Sequence, residues 1–253
     1  MESVKAIQQK LKTVESENEW ITNLREDPRL GVQKLIKSWD LKRVKQQRAL
    51  NEHQERVQFD LDYGTGLLAG VDEAGRGPLA GPVVTAAVIL PSDTSAFAGV
   101  NDSKQLSRTK RQQLAEVIRT HAHSYSIHIQ PAKEIDRLNI YEATKQSMKL
   151  AVESLNVTPE IVLADAMQIP VEMPCHSIIK GDAKSLSIAA ASILAKTTRD
   201  DYMDKLDEMY PGYGFQQHAG YGTAQHLEAI EQLGICPEHR HSFEPIKSLI
   251  KQR

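Results

Sequence analysis

Cysteine is scarce in this 253-residue chain, and its two cysteines, Cys175 and Cys236, stand far apart with no ligand-like spacing. This scarcity argues against a disulfide framework and a structural zinc site, and we expect two buried or half-buried thiols in a reducing compartment. Long apolar runs are also missing, because no stretch approaches the roughly 18 apolar residues of a membrane span. Residues 1–5 open no apolar signal region. We therefore expect a cytoplasmic protein with no membrane partner.

An excess of charge of either sign is missing too, since 31 basic residues oppose 33 acidic ones and the net charge is −2. This balance gives no bulk sign of nucleic-acid binding, although local patches decide that question more than the sum does. The sequence also lacks a Gly-x-Ser-x-Gly motif and a Cys–His signature, so catalysis by a nucleophilic side chain is not expected. Apolar residues make up 40% of the chain, which is enough for a sizeable core.

Residues 70–81, GVDEAGRGPLAG, are the most informative stretch. Two adjacent carboxylates, Asp72 and Glu73, stand between apolar runs, so we expect them on or just after a buried strand. Buried carboxylates are costly unless something neutralises them, and a divalent cation with oxygen ligands would do so. The following Gly75, Arg76 and Gly77 offer backbone amides and one guanidinium to a phosphate. The alternative interpretation is a solvated strand end followed by a glycine turn.

Two further carboxylates end apolar runs later in the chain. Asp165 follows residues 161–164, and Asp182 follows residues 177–181. Ligand sites in α/β sheets gather beyond the strand ends, so these two and the Asp72–Glu73 pair predict one oxygen-rich site for Mg²⁺ or Mn²⁺. Two such cations roughly 3.5–4 Å apart suit phosphodiester hydrolysis. Taken alone, Asp182 is also a candidate helix cap.

The periodicity of apolar residues predicts a mixed α/β sheet flanked by helices. Expected strands cover residues 67–73, 83–90, 125–130, 160–164 and 177–179, and expected helices cover residues 107–121, 139–155, 183–209 and 223–233. Asn139 and Glu142 have capping-box spacing, and Gly234 is a candidate C-cap. The first strands form a hairpin-like series, whereas the later ones alternate with helices.

Residues 1–65 differ from the rest, because they are polar, nearly free of glycine and helical in their apolar spacing. We expect a helical N-terminal extension of two or three helices, followed by a second domain at residues 66–253. One helix is expected to start with Asp27 as cap and Pro28 as its first residue. The basic run at residues 34–48 is either a solvated helix face or an auxiliary nucleic-acid contact. We expect the extension to serve affinity rather than chemistry.

The string at residues 70–81 resembles the first motif of the ribonuclease HII family, and further strings resemble the later motifs. They are DSKQL at 102–106, IIKGD at 178–182, IAAASILAK at 188–196 with Arg199 and Asp200, and YPGYGF at 210–215 running on to GYGT at 220–223. His239, Arg240, Ser242 and Phe243 close the pattern. Order and spacing fit from about residue 67 to residue 245, so residues 1–65 lie outside the resemblance.

The resemblance implies a ribonuclease H-like mixed sheet with a C-terminal helical region, and a metal-dependent endonuclease that we expect to be monomeric. Its substrates would be RNA–DNA hybrids and duplex DNA containing ribonucleotides. The enzyme would hydrolyse the RNA strand of hybrids, and it would cut 5′ to embedded ribonucleotides for their removal in repair and replication. The ends would be 5′-phosphate and 3′-hydroxyl. The implied cofactor is Mn²⁺ or Mg²⁺, held by Asp72, Glu73, Asp165 and Asp182.

The resemblance also implies substrate-binding residues. Gly75, Arg76 and Gly77 resemble the loop that recognises the ribonucleotide 2′-hydroxyl, the group by which proteins distinguish RNA from DNA. Tyr221 resembles the tyrosine that stacks against the sugar on the 3′ side. Candidate phosphate contacts are Lys104, Lys180, Lys184 and Arg199. The last two could equally be surface charge or part of an internal ion pair.

The chain departs from the family pattern in two loops. Asp165 is followed by Ala166 and Met167 where many members have Gly-Asn, so the loop after the carboxylate is expected to differ. His218-Ala219 stands where many members have Asn-Lys, so a basic backbone contact is expected to be missing. Arg76 occupies a position where the related ribonuclease HIII proteins typically carry Glu.

Three histidines, His226, His239 and His241, lack the spacing of a shared-face metal site, and we expect them to be buried or capping. Two other functions stay open on the sequence. One is a nucleotide-binding protein that uses residues 75–77 as a phosphate loop, although no Gly-Lys-Ser/Thr follows. The other is a non-enzymatic RNA- or hybrid-binding module with an inert carboxylate cluster. Loss of a carboxylate would favour that module, and none is lost.

Overall fold

The computed structural model describes residues 2–251, and the chain divides into two compact units at Glu52/His53. The first unit contains α1 (Val4–Lys10), α2 (Glu19–Arg25) and the beginning of α3 (Leu30–Tyr63). Side-chain oxygens of Ser3 and Asn18 accept backbone N–H bonds at the starts of α1 and α2, as N-caps do. The predicted N-terminal helical region is thus confirmed.

The first unit has its own small core, in which Ile7, Ile21, Val32 and Ile36 are buried together with Trp39. The indole N–H of Trp39 donates to the carbonyl of Val14 at 3.1 Å, so the buried ring keeps its hydrogen bond.

The predicted start of α3 at Asp27 and Pro28 was wrong by two residues. Asp27 Oδ1 accepts the backbone N–H of Arg29 at 2.9 Å, and its Oδ2 pairs with the Arg29 guanidinium at 2.6 Å. This local turn uses the carboxylate that a cap would have offered to the helix, and α3 begins at Leu30 instead.

The second unit is built around a five-stranded sheet with the order β3-β2-β1-β4-β5. Its strands are β1 (Leu68–Ala74), β2 (Val83–Ile89), β3 (Ser124–Gln130), β4 (Ile161–Asp165) and β5 (Cys175–Ile178). Strands β1, β2 and β3 pair antiparallel, whereas β4 pairs parallel to β1 and β5 parallel to β4. The predicted mixed sheet is confirmed, including the hairpin-like start.

Helices cover both faces of the sheet. They are α4 (Arg108–His121), α5 (Ala132–Leu138), α6 (Ile140–Glu153), α7 (Gly181–Lys184), α8 (Leu186–Met209), α9 (Phe215–His218), α10 (Ala224–Leu233) and α11 (Ile246–Lys251). The alanine-rich α8 and α4 share one buried cluster with β2 residues such as Ala86 and Val88. Helix α6 packs through Met148 and Ala151 in a second cluster with Val71 and Ala87. Since successive strand side chains point to opposite faces, these two sets alternate along β2.

The predicted single helix at 183–209 is wrong, because the chain forms two helices there. Ser185 has an extended backbone (φ −103°, ψ 132°), and its hydroxyl accepts the N–H of Ile188, which makes it the N-cap of α8. The short α7 before it carries Asp182, so Asp182 lies within a helix and is not the cap of the long one. The predicted caps Asn139 and Gly234 are confirmed at the start of α6 and the end of α10.

The C-terminal helical region forms a third cluster against the end of α8. Leu206 and Met203 pack there with Phe215, Ile230 and Ile246. No helix within residues 2–251 combines the length and the apolar character needed to cross a membrane.

Candidate active site

The parallel pairing of β1 and β4 places two of the predicted carboxylates side by side. The register aligns Val71 with Ala164, so the next residues along the two strands are Asp72 and Asp165. Asp72 is the last fully buried residue of β1, and Asp165 is the last residue of β4. The sheet topology therefore brings together two acids that are 93 residues apart in the chain.

Asp182 reaches the same place through the turn after β5. Lys180 adopts a left-handed conformation (φ 55°, ψ 48°), and the N–H of Gly181 donates to Asp165 Oδ1 at 2.7 Å. A Cβ on Gly181 would stand 2.6 Å from Ile188 Cδ1, so a larger residue would push this turn away. Carboxylate oxygens of Asp72, Asp165 and Asp182 consequently lie within 4.8 Å of one another.

The carboxylate cluster is electrostatically unfavourable without a counter-charge. Asp72 is only 4% exposed, and burial, with repulsion from Glu73 and Asp165, raises its pKa well above the usual range. Burial also raises the pKa of Asp165, with a further contribution from Asp182. Three close acids in a desolvated place favour protonation or a bound cation.

Glu73 lies beside this cluster rather than among its three members. Its Oε1 is 3.3 Å from Nη1 of Arg76, while its buried Oε2 has no hydrogen-bond partner within the described chain. Burial raises the pKa of Glu73, and the Arg76 charge opposes that rise. On the other side of the cluster, the ammonium of Lys104 is 3.1 Å from Asp182 Oδ2.

The donor set fits a divalent cation. It consists of carboxylate oxygens, which hard cations such as Mg²⁺ and Mn²⁺ accept, and it includes the unpartnered Oε2 of Glu73. Part of the set is already oriented, because Asp72 Oδ1 accepts the Glu73 N–H at 2.7 Å and Asp165 accepts that of Gly181.

The loop at residues 75–77 follows directly on the acidic strand, and Tyr221 lies against it. The Tyr221 side chain is 48% exposed, and a Cβ placed on Gly77 would be 3.5 Å from its Cε1. The backbone N–H groups of Arg76 and Gly77 have no acceptor within residues 2–251. This loop therefore combines two free backbone donors, one half-exposed guanidinium and an aromatic face.

Arg199 does not occupy a position from which it can contact a phosphate. It is 1% exposed, and it donates to the carbonyls of Pro82 at 3.0 Å, Ala219 at 3.0 Å and Ala80 at 3.2 Å. Gly75 has φ +96°, and a Cβ there would stand 2.0 Å from Arg199 Nε. Burial lowers the pKa of Arg199 to about 10. The predicted phosphate contact is thus corrected to a buried structural contact.

Arg240 is a second buried arginine. It belongs to the last motif of the resemblance, and the sequence indicated no role for it. It is 0% exposed, and its guanidinium donates to the carbonyls of Gly81 at 3.0 Å, Arg76 at 2.9 Å and Gly75 at 2.6 Å. Burial, together with the Arg199 charge, lowers its pKa to about 9.

The remaining basic candidates are on the surface. Lys180 and Lys184 are exposed at either end of the short α7, and Lys104 is exposed next to the carboxylates. Their positions are compatible with phosphate contacts, and that role stays a prediction.

The end of α3 contributes a contact that the sequence did not indicate. Asp60 Oδ2 accepts the N–H of Ser187 at 2.9 Å and its hydroxyl at 2.6 Å, so it caps the start of α8. The Arg56 guanidinium donates to Ala183 O at 3.2 Å and to Asn101 Oδ1 at 2.7 Å. These bonds secure the residues that follow Asp182 and the segment at Asn101, and no motif of the sequence marked them.

Two of the three histidines considered as metal ligands are internal. His226 and His239 are buried, their Nε2 atoms are 3.1 Å apart, and burial lowers the pKa of His239 to about 4. The expectation of buried histidines is confirmed for these two, whereas His241 is exposed.

Comparisons with known proteins place this geometry in a family. The family model described as Ribonuclease HII matches residues 69–246, and the one described as Ribonuclease HII N-terminal domain matches residues 3–64. The chain belongs to the ribonuclease HII family. It is therefore a hydrolase, an endoribonuclease that cleaves RNA in RNA–DNA hybrids, and its family depends on divalent metal ions.

Individual relatives agree with this assignment. A protein named Ribonuclease HII from Enterococcus faecalis is 49% identical over 253 residues, covering 98% of this chain and 99% of the relative. One of the same name from Ligilactobacillus salivarius is 50% identical over 244 residues, covering 95% of each. The crystal structure of ribonuclease H2 from Pyrococcus horikoshii has a TM-score of 0.64 at 28% identity, covering 73% of this chain and 97% of that one. The readings as a nucleotide-binding protein and as an inert binding module are thereby set aside.

Proposed function

We propose that this ribonuclease HII also cuts duplex DNA on the 5′ side of an embedded ribonucleotide, leaving a 3′-hydroxyl and a 5′-phosphate on that ribonucleotide. The observation that supports the proposal is the direct continuity of the acidic strand with the loop at residues 75–77, which has free N–H groups on Arg76 and Gly77 and whose Gly77 lies against Tyr221. A ribonucleotide read by this loop would have its 5′ phosphate beside the carboxylates. Such a cut is the first step of ribonucleotide removal.

We assign Asp72, Asp165, Asp182 and Glu73 as the residues that hold Mg²⁺ or Mn²⁺. When bound, these ions would activate a water molecule and stabilise the leaving oxygen. The carboxylates place negative charge at fixed positions, and Lys104 keeps Asp182 oriented through its 3.1 Å bond.

The loop would distinguish RNA from DNA by hydrogen bonding. Its two unpaired N–H groups, on Arg76 and Gly77, can donate to a 2′-hydroxyl, which is present only in the ribose. Tyr221 would pack against the sugar that follows. Because that contact is flat and apolar, a 2′-hydroxyl on this second sugar disturbs it, and an RNA-to-DNA junction is preferred.

We assign electrostatic contacts with the sugar–phosphate backbone to Lys104, Lys180 and Lys184, which are exposed around α7. Such contacts hold a duplex in place but carry no sequence information. Replacement of Lys180 or Lys184 by Ala is expected to raise KM and to reduce the dependence of KM on salt.

The proposal is tested with three duplexes of one sequence: all-DNA, DNA with a single ribonucleotide, and an RNA strand paired with DNA. Initial rates are measured in Mg²⁺ and in Mn²⁺, and the ends are identified by ligation, which requires a 5′-phosphate and a 3′-hydroxyl. We expect cleavage of both ribonucleotide-containing duplexes and none of the all-DNA duplex. Cleavage of the hybrid alone would contradict the proposal while leaving the family's hybrid activity intact.

A further inference from the structure

Two carbonyl groups of the 75–77 loop, those of Gly75 and Arg76, have a partner on one side of the loop, whereas the N–H groups of Arg76 and Gly77 have none among residues 2–251. Gly75 O and Arg76 O accept from the two Nη atoms of Arg240 at 2.6 Å and 2.9 Å. The N–H groups of Arg76 and Gly77 have no acceptor among the described residues. The two kinds of group belong to the same two peptide bonds.

A trans peptide has its C=O and N–H pointing in opposite directions. The bond from Arg240 to Gly75 O therefore fixes where the Arg76 N–H points, and the bond to Arg76 O does the same for the Gly77 N–H. A donor on the carbonyl also polarises the amide, which strengthens the N–H on the other side. One guanidinium thus sets the direction and strength of both free donors.

Arg240 is itself held rigidly. Its backbone N–H donates to Leu79 O at 2.8 Å, its Nε donates to Gly81 O, and its guanidinium lies 5.0 Å from the ring centroid of Phe243. Among residues 2–251 no carboxylate lies within ion-pair distance of its guanidinium, and the charge of Asp136 acts on it only from further away. A fully buried guanidinium without a counter-ion is costly to maintain, and its planar fork is the feature that a lysine lacks.

We propose that Arg240 is a positioning residue for recognition of the ribonucleotide: it holds the Gly75 and Arg76 carbonyls so that the Arg76 and Gly77 N–H groups are presented to the 2′-hydroxyl. This inference rests on the proposed function of the loop. It adds a residue that does not touch the substrate and that acts through the backbone of those that do.

The test is Arg240→Lys, which keeps a positive charge but replaces the fork by a single nitrogen. Affinity is measured by fluorescence anisotropy in EDTA, so that no cleavage occurs, for a duplex with one ribonucleotide and for an all-DNA duplex of the same sequence. The ratio of the two affinities reports recognition of the 2′-hydroxyl. A loss of folded protein changes the apparent concentration but not this ratio.

We expect wild-type protein to prefer the ribonucleotide duplex and Arg240→Lys to lose most of that preference, roughly ten-fold for two neutral hydrogen bonds. The affinity of Arg240→Lys for the all-DNA duplex should stay within about two-fold of the wild-type value.

The matched control is Arg111→Lys. Arg111 is a half-buried arginine that also donates to two carbonyls, Ser103 O at 3.2 Å and Leu106 O at 2.7 Å, in another segment. It should keep the wild-type ratio.

A folded Arg240→Lys protein with the wild-type ratio would overturn the inference and leave the proposed function standing. A wild-type ratio of one would remove the loop's proposed role, and the inference with it.

If Arg240→Lys does not fold, amide hydrogen exchange on wild-type protein tests the inference instead. The Arg76 and Gly77 amides should gain protection with the ribonucleotide duplex and not with the all-DNA duplex, and the Arg240 guanidinium should be protected in both. Equal protection by both duplexes, or an unprotected guanidinium, would overturn the inference.

Discussion

Replacement of Asp72 by Asn is expected to stabilise the metal-free protein while it abolishes catalysis. At an effective dielectric constant of 20, two unit charges 4.8 Å apart repel by about 3.5 kcal/mol. Partial protonation relieves some of that repulsion in the wild-type protein. We therefore expect the free energy of unfolding of Asp72→Asn to exceed that of wild type by about 2 kcal/mol, which corresponds to roughly 4–8 °C in Tm for a chain of this size. Function would here oppose stability, as is common at active sites.

The sign of the pH dependence follows from the direction of the pKa shift. The pKa of Asp72 is raised in the folded state above its ordinary value of 3.8, so folding favours the protonated acid. The stability that this acid contributes is fully present below that value, and it is lost as pH rises through the folded-state pKa. The difference between Asp72→Asn and wild type should therefore be small near pH 4 and largest at neutral pH.

Thermal unfolding in EDTA and in Mn²⁺ is the assay. Saturating metal should raise the Tm of wild type, by a free energy of about 2.7 kcal/mol at 100 times Kd. The Tm of Asp72→Asn should rise much less. The variant should therefore have the higher Tm in EDTA, and wild type should have the higher Tm in Mn²⁺. A variant that is less stable than wild type in EDTA at neutral pH, or that gains equally from Mn²⁺, would refute the reasoning.

Three further outcomes are expected. A chain that starts at His53 should retain the turnover of the full chain. One that starts at Gly66 lacks Asp60, so both its Tm and its turnover should be lower. Equal Tm and equal turnover of the two truncated chains would contradict this prediction. Ala166→Gly should raise the free energy of unfolding by about 0.5–1 kcal/mol, because Ala166 has φ 46° and a left-handed backbone favours Gly. An unchanged or lower free energy of unfolding in urea would contradict this prediction. Tyr221→Ala should reduce cleavage of a single embedded ribonucleotide more than cleavage of a continuous hybrid; an unchanged ratio of rates would show that the junction is recognised elsewhere.

Much of the site was predictable because short local sequence patterns indicate its residues. Asp72 and Asp165 stand at the ends of apolar runs, which predicted both at strand ends, and the parallel pairing of β1 and β4 places them side by side. The departure at Ala166 also acquires a physical meaning, since the glycine of many family members suits the left-handed conformation that this residue adopts. Ala166 therefore adopts a left-handed backbone at some cost in strain.

Other features depend on side-chain directions that no local pattern reveals. Arg199 and Arg240 are charged residues in a sequence of mixed polarity, and only the fold shows that both are buried under backbone carbonyls. A hint was available for Ser185, a serine ahead of an apolar helical stretch, which is typical of an N-cap. Asp60 had no such hint, because its partners are 127 residues away.

The expectation that residues 1–65 serve affinity alone must be revised for the end of α3. Asp60 and Arg56 bond to the segments around Asp182, within the unit that begins at His53. Earlier in α3, Lys34, Lys37 and Lys45 are exposed, so a contact with nucleic acid stays a prediction for that part. The two portions of one helix thus differ in the role that we expect of them.

The most direct test of the account is the position of the cut in a duplex that contains one ribonucleotide, mapped at single-nucleotide resolution with wild-type protein in Mn²⁺ and in EDTA. The account predicts a single cut at the phosphate on the 5′ side of the ribonucleotide, present with the metal and absent without it. A cut on the 3′ side, or a cut that persists in EDTA, would contradict the assignment of the carboxylates and of the loop that follows them.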